Sequence, residues 1–495
     1  MEALWYNASF FILRSCPASY NLTLMSRKRK EQPIVENVRI EEVAAEGKAL
    51  THIDGKVVFV PFVAPGDIVD LKLLKCKKSF CEGKAVAIKE YSDLRVPVKC
   101  PHFGVCGGCK WQMLDYLVQL EAKQRQVRDT LERIGGVACD TMRPICGSDK
   151  IFHYRNKLEY TFSTRAWRET PDSPECDCGA LGFHIPGLFD KVLNIDTCLL
   201  QEDLSNNIRL FVRDYAQNHG LSYYDIRNHN GFLRNLVVRN NSRGEWMVIL
   251  IVAEPDNAEL KPLLEALHAE FPQIASLHYI INTKFNDSYS DLETHLYSGE
   301  PFIEEQMTAY DGKGSLRFRI NPKSFYQTNS PQAQRLYSFV AEFAELQADD
   351  TVYDLYTGTG TIAQFVARMC RRVVGIEYVK EAIDDAKINA VLNNLGNTEF
   401  YAGDMAEILT DEFVSEHGRP DVVITDPPRA GMHERVVKQL LTVAPRKIVY
   451  VSCNPATQAR DIQLMSEMYK VGRIQPVDMF PHTQHVENVV ELIRR

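Results

Sequence analysis

Apolar and polar positions follow three different periods along the chain, and the changes of period divide it. From 351 to 377 the order is Thr351-Val-Tyr-Asp-Leu355, the loop Thr357-Gly358-Thr359-Gly360-Thr361, an apolar helical stretch from Ile362 to Met369, and Arg372-Val-Val-Gly-Ile-Glu377. That order predicts strand, tight loop, helix and strand. Further along, Asp421 to Asp426 and Lys447 to Tyr450 predict buried strands, 489–493 an apolar strand, and 379–395, 433–443 and 456–469 helices. Strands alternating with helices predict a doubly wound parallel sheet of the Rossmann-like type over 321–495. Residues 34–90 change to short alternating runs such as Lys56-Val-Val-Phe-Val-Pro-Phe62, parted by Asp54-Gly55 and Pro65-Gly66. Five short strands there predict a small β-barrel of the oligonucleotide-binding type over 31–92. Between them, 93–320 carries strands such as Phe232 to Arg239 and Trp246 to Val252, and predicts a central α+β domain.

Composition changes this picture in three places. A chain of 495 residues is too long for one core. Its 13 cysteines form no disulfide scaffold, so reduced thiols and a cytoplasmic location are expected. No apolar run is long enough to cross a membrane. Residues 1–30 predict a dispensable extension, with Met25-Ser-Arg-Lys-Arg-Lys30 resembling a second start. The formal charge is −8, yet Ser26 to Gly135 holds 20 Lys/Arg against 15 Asp/Glu. Lys72, Lys75, Lys77, Lys78 and Lys84 cluster on one hairpin of the barrel, which suits an RNA partner.

The candidate chemistry gathers where strands end. Gly358, Glu377, Asp426 and Cys453 all fall at the carboxyl ends of predicted parallel strands, where ligands bind in such sheets. Glycines admit a ligand close to the backbone, and an acid after the second strand can take a ribose diol. The loop lacks a third glycine, which suits a cofactor without a pyrophosphate better than NAD. Cys453 leaves its strand into an Asn454-Pro455 turn, so rigid backbone would hold a nucleophile at the rim. Separately, Cys100, Cys106 and Cys109 are spaced for a sulfur-ligated metal centre, with Cys176, Cys178 or Cys198 as the fourth ligand. The radical-enzyme run Cys-x3-Cys-x2-Cys is absent.

Taken with Phe325-Tyr-Gln-Thr-Asn329, Asp426-Pro-Pro-Arg-Ala-Gly431, Ser452-Cys-Asn-Pro-Ala-Thr-Gln-Ala-Arg-Asp461 and Phe480-Pro-His-Thr-Gln-His-Val-Glu487, the chain resembles the RNA 5-methyluridine methyltransferases over about residues 34–495. The nearest resemblance is to the iron–sulfur 23S ribosomal RNA branch, whose N-terminal barrel is a TRAM domain. That resemblance implies an S-adenosylmethionine-dependent enzyme acting on RNA as a monomer, with neither DNA nor membrane as partner. It implies cofactor contacts at Gln327, Tyr356, Gly358, Glu377 and Asp426, and at Thr361 and Asp404, where relatives often carry asparagine. It further implies a 4Fe–4S cluster on Cys100, Cys106, Cys109 and Cys198, Cys453 as the nucleophile that adds to C6 of uracil, and Glu487 as the base that removes the C5 proton. Addition needs a thiolate, so a cation or backbone donors should lower the pKa of Cys453.

Other residues carry blander expectations. His482 and His485 suit hydrogen bonding or RNA contact, Arg429 a phosphate or the target base, and Arg460 and Asp461 local helix contacts. Three other functions compete. An amino-directed methyltransferase shares the Asp-Pro-Pro loop but has no use for Cys453. The substrate could instead be the T-loop uridine of transfer RNA. A non-catalytic RNA-binding protein would keep the fold without binding the methyl donor.

Overall fold

The computed structural model describes residues 34–168, 179–255 and 258–495. The N-terminal extension and the Cys176/Cys178 pair lie outside the described residues. No helix among those described is long and apolar enough to cross a membrane.

Residues 34–90 form six strands rather than five, around Ile40, Val58, Val60, Val69 and Leu71. The extra strand arises because the first run breaks at Ile40-Glu41. Ile34–Arg39 pairs with Ile68–Cys76, while Glu42–Val43 pairs with Lys48–Ile53 at the opposite sheet edge. One segment thereby joins both edges and closes the barrel, leaving no long free edge. At its far end Cys76 and Cys81 face each other and are disulfide-bonded, which corrects the expectation of uniformly reduced thiols.

The central sheet runs in the order 294–299, 274–281, 246–252, 233–240, 157–163, 180–185, 188–194, antiparallel except for the 246–252/274–281 pair. Helices Asp203–Asn218 and Leu260–Glu270 cover one face over Tyr160, Leu236 and Val248. The opposite face, with Val237, Ile249 and Ile251, merges into the core of the C-terminal sheet. Burial on both faces explains why Trp246–Val252 shows no polar alternation.

The C-terminal sheet has seven strands: β1 Thr351–Leu355, β2 Arg372–Glu377, β3 Thr398–Ala402, β4 Val422–Thr425, β5 Lys447–Ser452, β6 Tyr469–Val477 and β7 Glu487–Arg494. Their order is β3-β2-β1-β4-β5-β7-β6. The first five are mutually parallel, but β7 lies antiparallel to both its neighbours, so the sheet is mixed rather than wholly parallel. That reversal matters for the site. β7 starts where β5 ends, with Ser452 opposite Asn488, so Cys453 and Glu487 meet at the same rim.

A helix from far upstream completes this core. Tyr116–Gly135, capped by Asp115 and ended by Gly136 in the left-handed region, packs Val127 and Leu131 against the helix Pro455–Met465. Its Lys123 is fully buried and donates to Asp478 at 2.6 Å and to the Phe480 carbonyl at 3.0 Å, while Tyr116 donates to the same carboxylate at 2.8 Å. These bonds hold the 478–486 connection that leads into Glu487. Removing one partner of such a buried pair costs about 3–5 kcal/mol, because the other charge is stranded.

Candidate active site

The loop after β1 is built on left-handed backbone at Tyr356 (φ 62°), Gly358 (φ 56°) and Gly360 (φ 75°). At Gly360 any Cβ would also lie 3.0 Å from Ala386 and from the Phe400 ring. Glycine there lets the helix Thr361–Val366 start directly against β3. Beneath the loop, Asp354 accepts from the Thr357 hydroxyl and from Ala363 N–H, and burial pushes its pKa up to about 7. Glu377 is fixed from two sides, Oε2 accepting from Gly358 N–H at 3.1 Å and Oε1 from Val379 N–H at 3.0 Å. A carboxylate held at the loop mouth presents its remaining lone pairs in one direction.

Of the other predicted cofactor residues, Tyr356 and Asp404 lie within electrostatic reach of each other and Tyr356 of Glu377. Tyr356 is pushed up to about 12 by burial and then by the charges of Asp461 and Asp404. Thr361 lies 3.3 Å from the Tyr337 hydroxyl. Gln327 is half-buried, its carbonyl accepting from Asn156 at 2.9 Å. Asp404 is exposed and caps the turn Met405–Ile408, its Oδ1 accepting from Ala406 N–H at 2.8 Å.

Asp426, Cys453 and Glu487 converge beside it, and Arg429 stands among them. Glu487 is buried and Cys453 half-buried. Burial, then the charges of Glu487 and Asp426, push the Cys453 thiol up to about 11, against the pull of the Arg429 guanidinium, which also approaches as a hydrogen-bond donor. Burial and then Asp354 push Asp426 up to about 7. Burial and then Asp426 raise Glu487 well above the usual carboxylate range, again opposed by Arg429. The expected lowering of the thiol pKa is therefore not found. The cation exists, but two carboxyl groups and burial outweigh it. Cys453 and Glu487 both feel the one Arg429 guanidinium, so a negative charge on either is favoured there over charges on both.

Arg429 is thus the thiol's partner, a role that its position on the loop after β4, next to β5, could have suggested. Sequence reasoning also overlooked Asp354 as the floor of the glycine loop. The ring of His482 meets Gln119 Nε2 through Nδ1 at 3.3 Å, while its buried Nε2 has no hydrogen-bond partner among the described residues. His482 is buried, its carbonyl accepting from Lys110 and Trp111 and its N–H donating to Gln119 at 2.9 Å. Burial, and then Arg429, pull His485 down to about 4.

Cys100, Cys106, Cys109 and Cys198 line one cavity of about 560 Å³, together with Phe325 and Thr328. The thiols feel one another: burial and the charges of the other three push Cys109 up to about 12, and burial with Cys106 and Cys100 pushes Cys198 up to about 11. Among the described residues no three His, Cys, Asp or Glu side chains are close enough to hold a single metal ion. Four thiols around one cavity are a donor set of the kind that zinc and iron–sulfur centres use.

Comparison with known proteins agrees with this geometry. Residues 292–495 match the family described as tRNA (uracil-5-)-methyltransferase, and residues 33–86 match the TRAM domain. An uncharacterized RNA methyltransferase of Bacteroides thetaiotaomicron is 54% identical over 458 residues, covering 91% of this chain and 99% of its own. One from Porphyromonas gingivalis is 53% identical and covers 92% and 99%. The solved tRNA (uracil-54, C5)-methyltransferase of Pyrococcus abyssi, in complex with S-adenosyl-L-homocysteine, is 29% identical, with a TM-score of 0.71 over 93% of this chain and 100% of that one. The chain belongs to the S-adenosylmethionine-dependent RNA methyltransferases of the uracil-C5 family.

Proposed function

We propose that this protein methylates C5 of a uridine in 23S ribosomal RNA through a covalent adduct between Cys453 and C6 of the ring. The observation that carries this reading is the meeting of Cys453, Arg429, Asp426 and Glu487 at one sheet rim beside the Gly358–Glu377 mouth.

The target uridine must first leave its stack and enter this rim, at a cost of a few kcal/mol. Uracil C5 is a weak nucleophile. Addition of the Cys453 thiolate to C6 moves electron density onto C5 and O4, and Arg429 stabilises the thiolate that starts the step. Gly358, Glu377 and Asp426, with Gln327, Tyr356, Thr361 and Asp404 around them, would hold S-adenosylmethionine, which would supply the methyl group for C5 and leave as S-adenosylhomocysteine. With its sulfur now in a neutral thioether, Cys453 no longer claims the charge of Arg429, which is free to stabilise the Glu487 carboxylate. Glu487 takes the C5 proton, the C6–S bond breaks, and the thiolate returns.

Cys100, Cys106, Cys109 and Cys198 would hold a 4Fe–4S cluster that ties the 100–109 loop to 195–200 and shapes the RNA platform. These thiols support the ribosomal branch. Anaerobically purified protein is expected to absorb near about 400 nm, and Cys109→Ser to lose that band; an unchanged spectrum would remove the cluster from the reading.

A second reading, transfer RNA as substrate, is favoured by the Pyrococcus abyssi relative, whose name specifies uracil-54 of tRNA. Mapping 5-methyluridine in both RNAs with and without the protein decides between them. Loss at a ribosomal position supports the first, and loss confined to transfer RNA supports the second.

A further inference from the structure

Arg460 and Asp461, on the helix Pro455–Met465, take no part in the steps above, yet their bonds reach well beyond their helix. Asp461 is fully buried, and its Oδ2 accepts from Met432 N–H at 2.9 Å and from the Tyr450 hydroxyl at 2.7 Å. Its Oδ1 accepts from Arg460 Nε at 2.9 Å and Nη2 at 2.7 Å. The same Nη2 donates to the carbonyls of Ala430 at 3.1 Å and Met432 at 3.3 Å. From the first turn of the helix, Asn454 and Thr457 donate to the Arg429 carbonyl at 2.9 and 3.2 Å.

We propose that Arg460 and Asp461 are positioning residues for methyl transfer, locking the 426–432 loop onto the helix that follows Cys453 and so holding the Arg429 guanidinium against the thiol. The inference rests on the reading of Cys453 as nucleophile.

Three features support it. Pro428, Arg429 and Ala430 are exposed, so packing does little to hold the middle of this loop, and hydrogen bonds must. The anchoring helix begins two residues after Cys453, which refers thiol and guanidinium to one rigid body. Tyr450, on the strand that delivers Cys453, joins the same Asp461 oxygen that holds Met432. Loop and strand therefore share one buried carboxylate. Gly431 (φ +78°) closes against the pair, where a Cβ would fall 2.6 Å from Arg460 Nη2 and 2.8 Å from Asp461 Oδ2. The Arg460 side chain is 47% exposed, so the ion pair by itself adds little stability, and its worth lies in where it holds the loop.

The test follows iodoacetamide labelling of Cys453 in the full-length protein, resolved from the other thiols by peptide mass spectrometry, over roughly pH 7–11. Below the labelling midpoint, Asp461→Asn and Arg460→Ala are expected to slow labelling about tenfold, equivalent to a midpoint one pH unit higher. Gly431→Ala should act in the same direction, and Arg460→Lys should recover part of the rate. Arg429→Ala should give the same loss, with no further loss in the Arg429→Ala/Asp461→Asn double variant, because both changes remove one interaction. Binding of S-adenosylhomocysteine by calorimetry should stay near the parental value. Labelling rates within about twofold of the parent in folded Arg460→Ala and Asp461→Asn would overturn the proposal. So would losses that multiply with that of Arg429→Ala. Should Asp461→Asn not fold, Arg460→Ala and Gly431→Ala decide. Methyl transfer retained by Cys453→Ala would instead sink the nucleophile assignment, while the labelling comparison still reports on the loop.

Discussion

Cys453→Ala should abolish methyl transfer, with a loss on the order of 10⁴-fold or more in kcat, as expected when a covalent route loses its nucleophile. The size follows from the weakness of uracil C5 as a nucleophile, and Cys453 is the thiol placed beside Asp426, Glu487 and Arg429. Asp426 and Glu487 are carboxyl groups, and Arg429 is a cation. The variant should still bind S-adenosylhomocysteine, because the Gly358–Glu377 contact is made by the glycine loop and the end of β2. It should also fail to form a denaturation-stable complex with RNA containing 5-fluorouridine, which the parent enzyme would trap. The reaction of the parent should accelerate as pH rises above neutrality. A thiol held up at about 11 is mostly protonated at neutral pH, and each unit of pH below that value changes its thiolate fraction about tenfold. Methylation retained at a tenth or more of the parental rate would end the covalent mechanism.

Glu487→Gln should give a different failure. Addition and methyl transfer need no proton acceptor at C5, so the variant should proceed that far and stop. The product would be a protein–RNA adduct on ordinary uridine RNA, visible as a retarded band on a denaturing gel, with turnover lowered about 10²–10⁴-fold. Glutamine keeps the side-chain volume in a buried position, which limits any effect on folding. His485 provides the control. With its pKa pulled down to about 4 it is neutral at physiological pH and chemically able to accept a proton. Parental turnover in Glu487→Gln, lost on adding His485→Ala, would transfer the base role to His485.

The parts of this site that follow from local pattern were legible in the sequence. Gly358 and Gly360 need left-handed backbone, Glu377 ends a run of buried residues, and Cys453 ends another, so each announces its place at a strand end. What depended on distant pairing was not legible. The stretch 469–477 carries Lys470, Gly472 and Arg473 among its apolar residues, and its strand character comes from pairing with β7. The place of Arg429 next to β5 was legible, but the bonds that tie its loop to Arg460 and Asp461 some 30 residues later were not. The expectation for the thiol erred for a related reason. A cation or backbone donors were foreseen, but the summed effect of burial, Asp426 and Glu487 appears only once three loops are brought together.

The buried contact between Lys123 and Asp478 has a consequence for how the chain is made. Its two ends are 355 residues apart. At ribosomal speeds of about 5–20 residues per second, the helix that carries Lys123 emerges roughly 20–70 s before its partner carboxylate. For most of that interval Val127 and Leu131 lack the helix Pro455–Met465 against which they finally pack. Glu487 is synthesised later still, in the final strand. The strands of the barrel are all made while the reaction centre is unfinished. The reaction centre therefore cannot form before Glu487 has been made, long after the helix that carries Lys123.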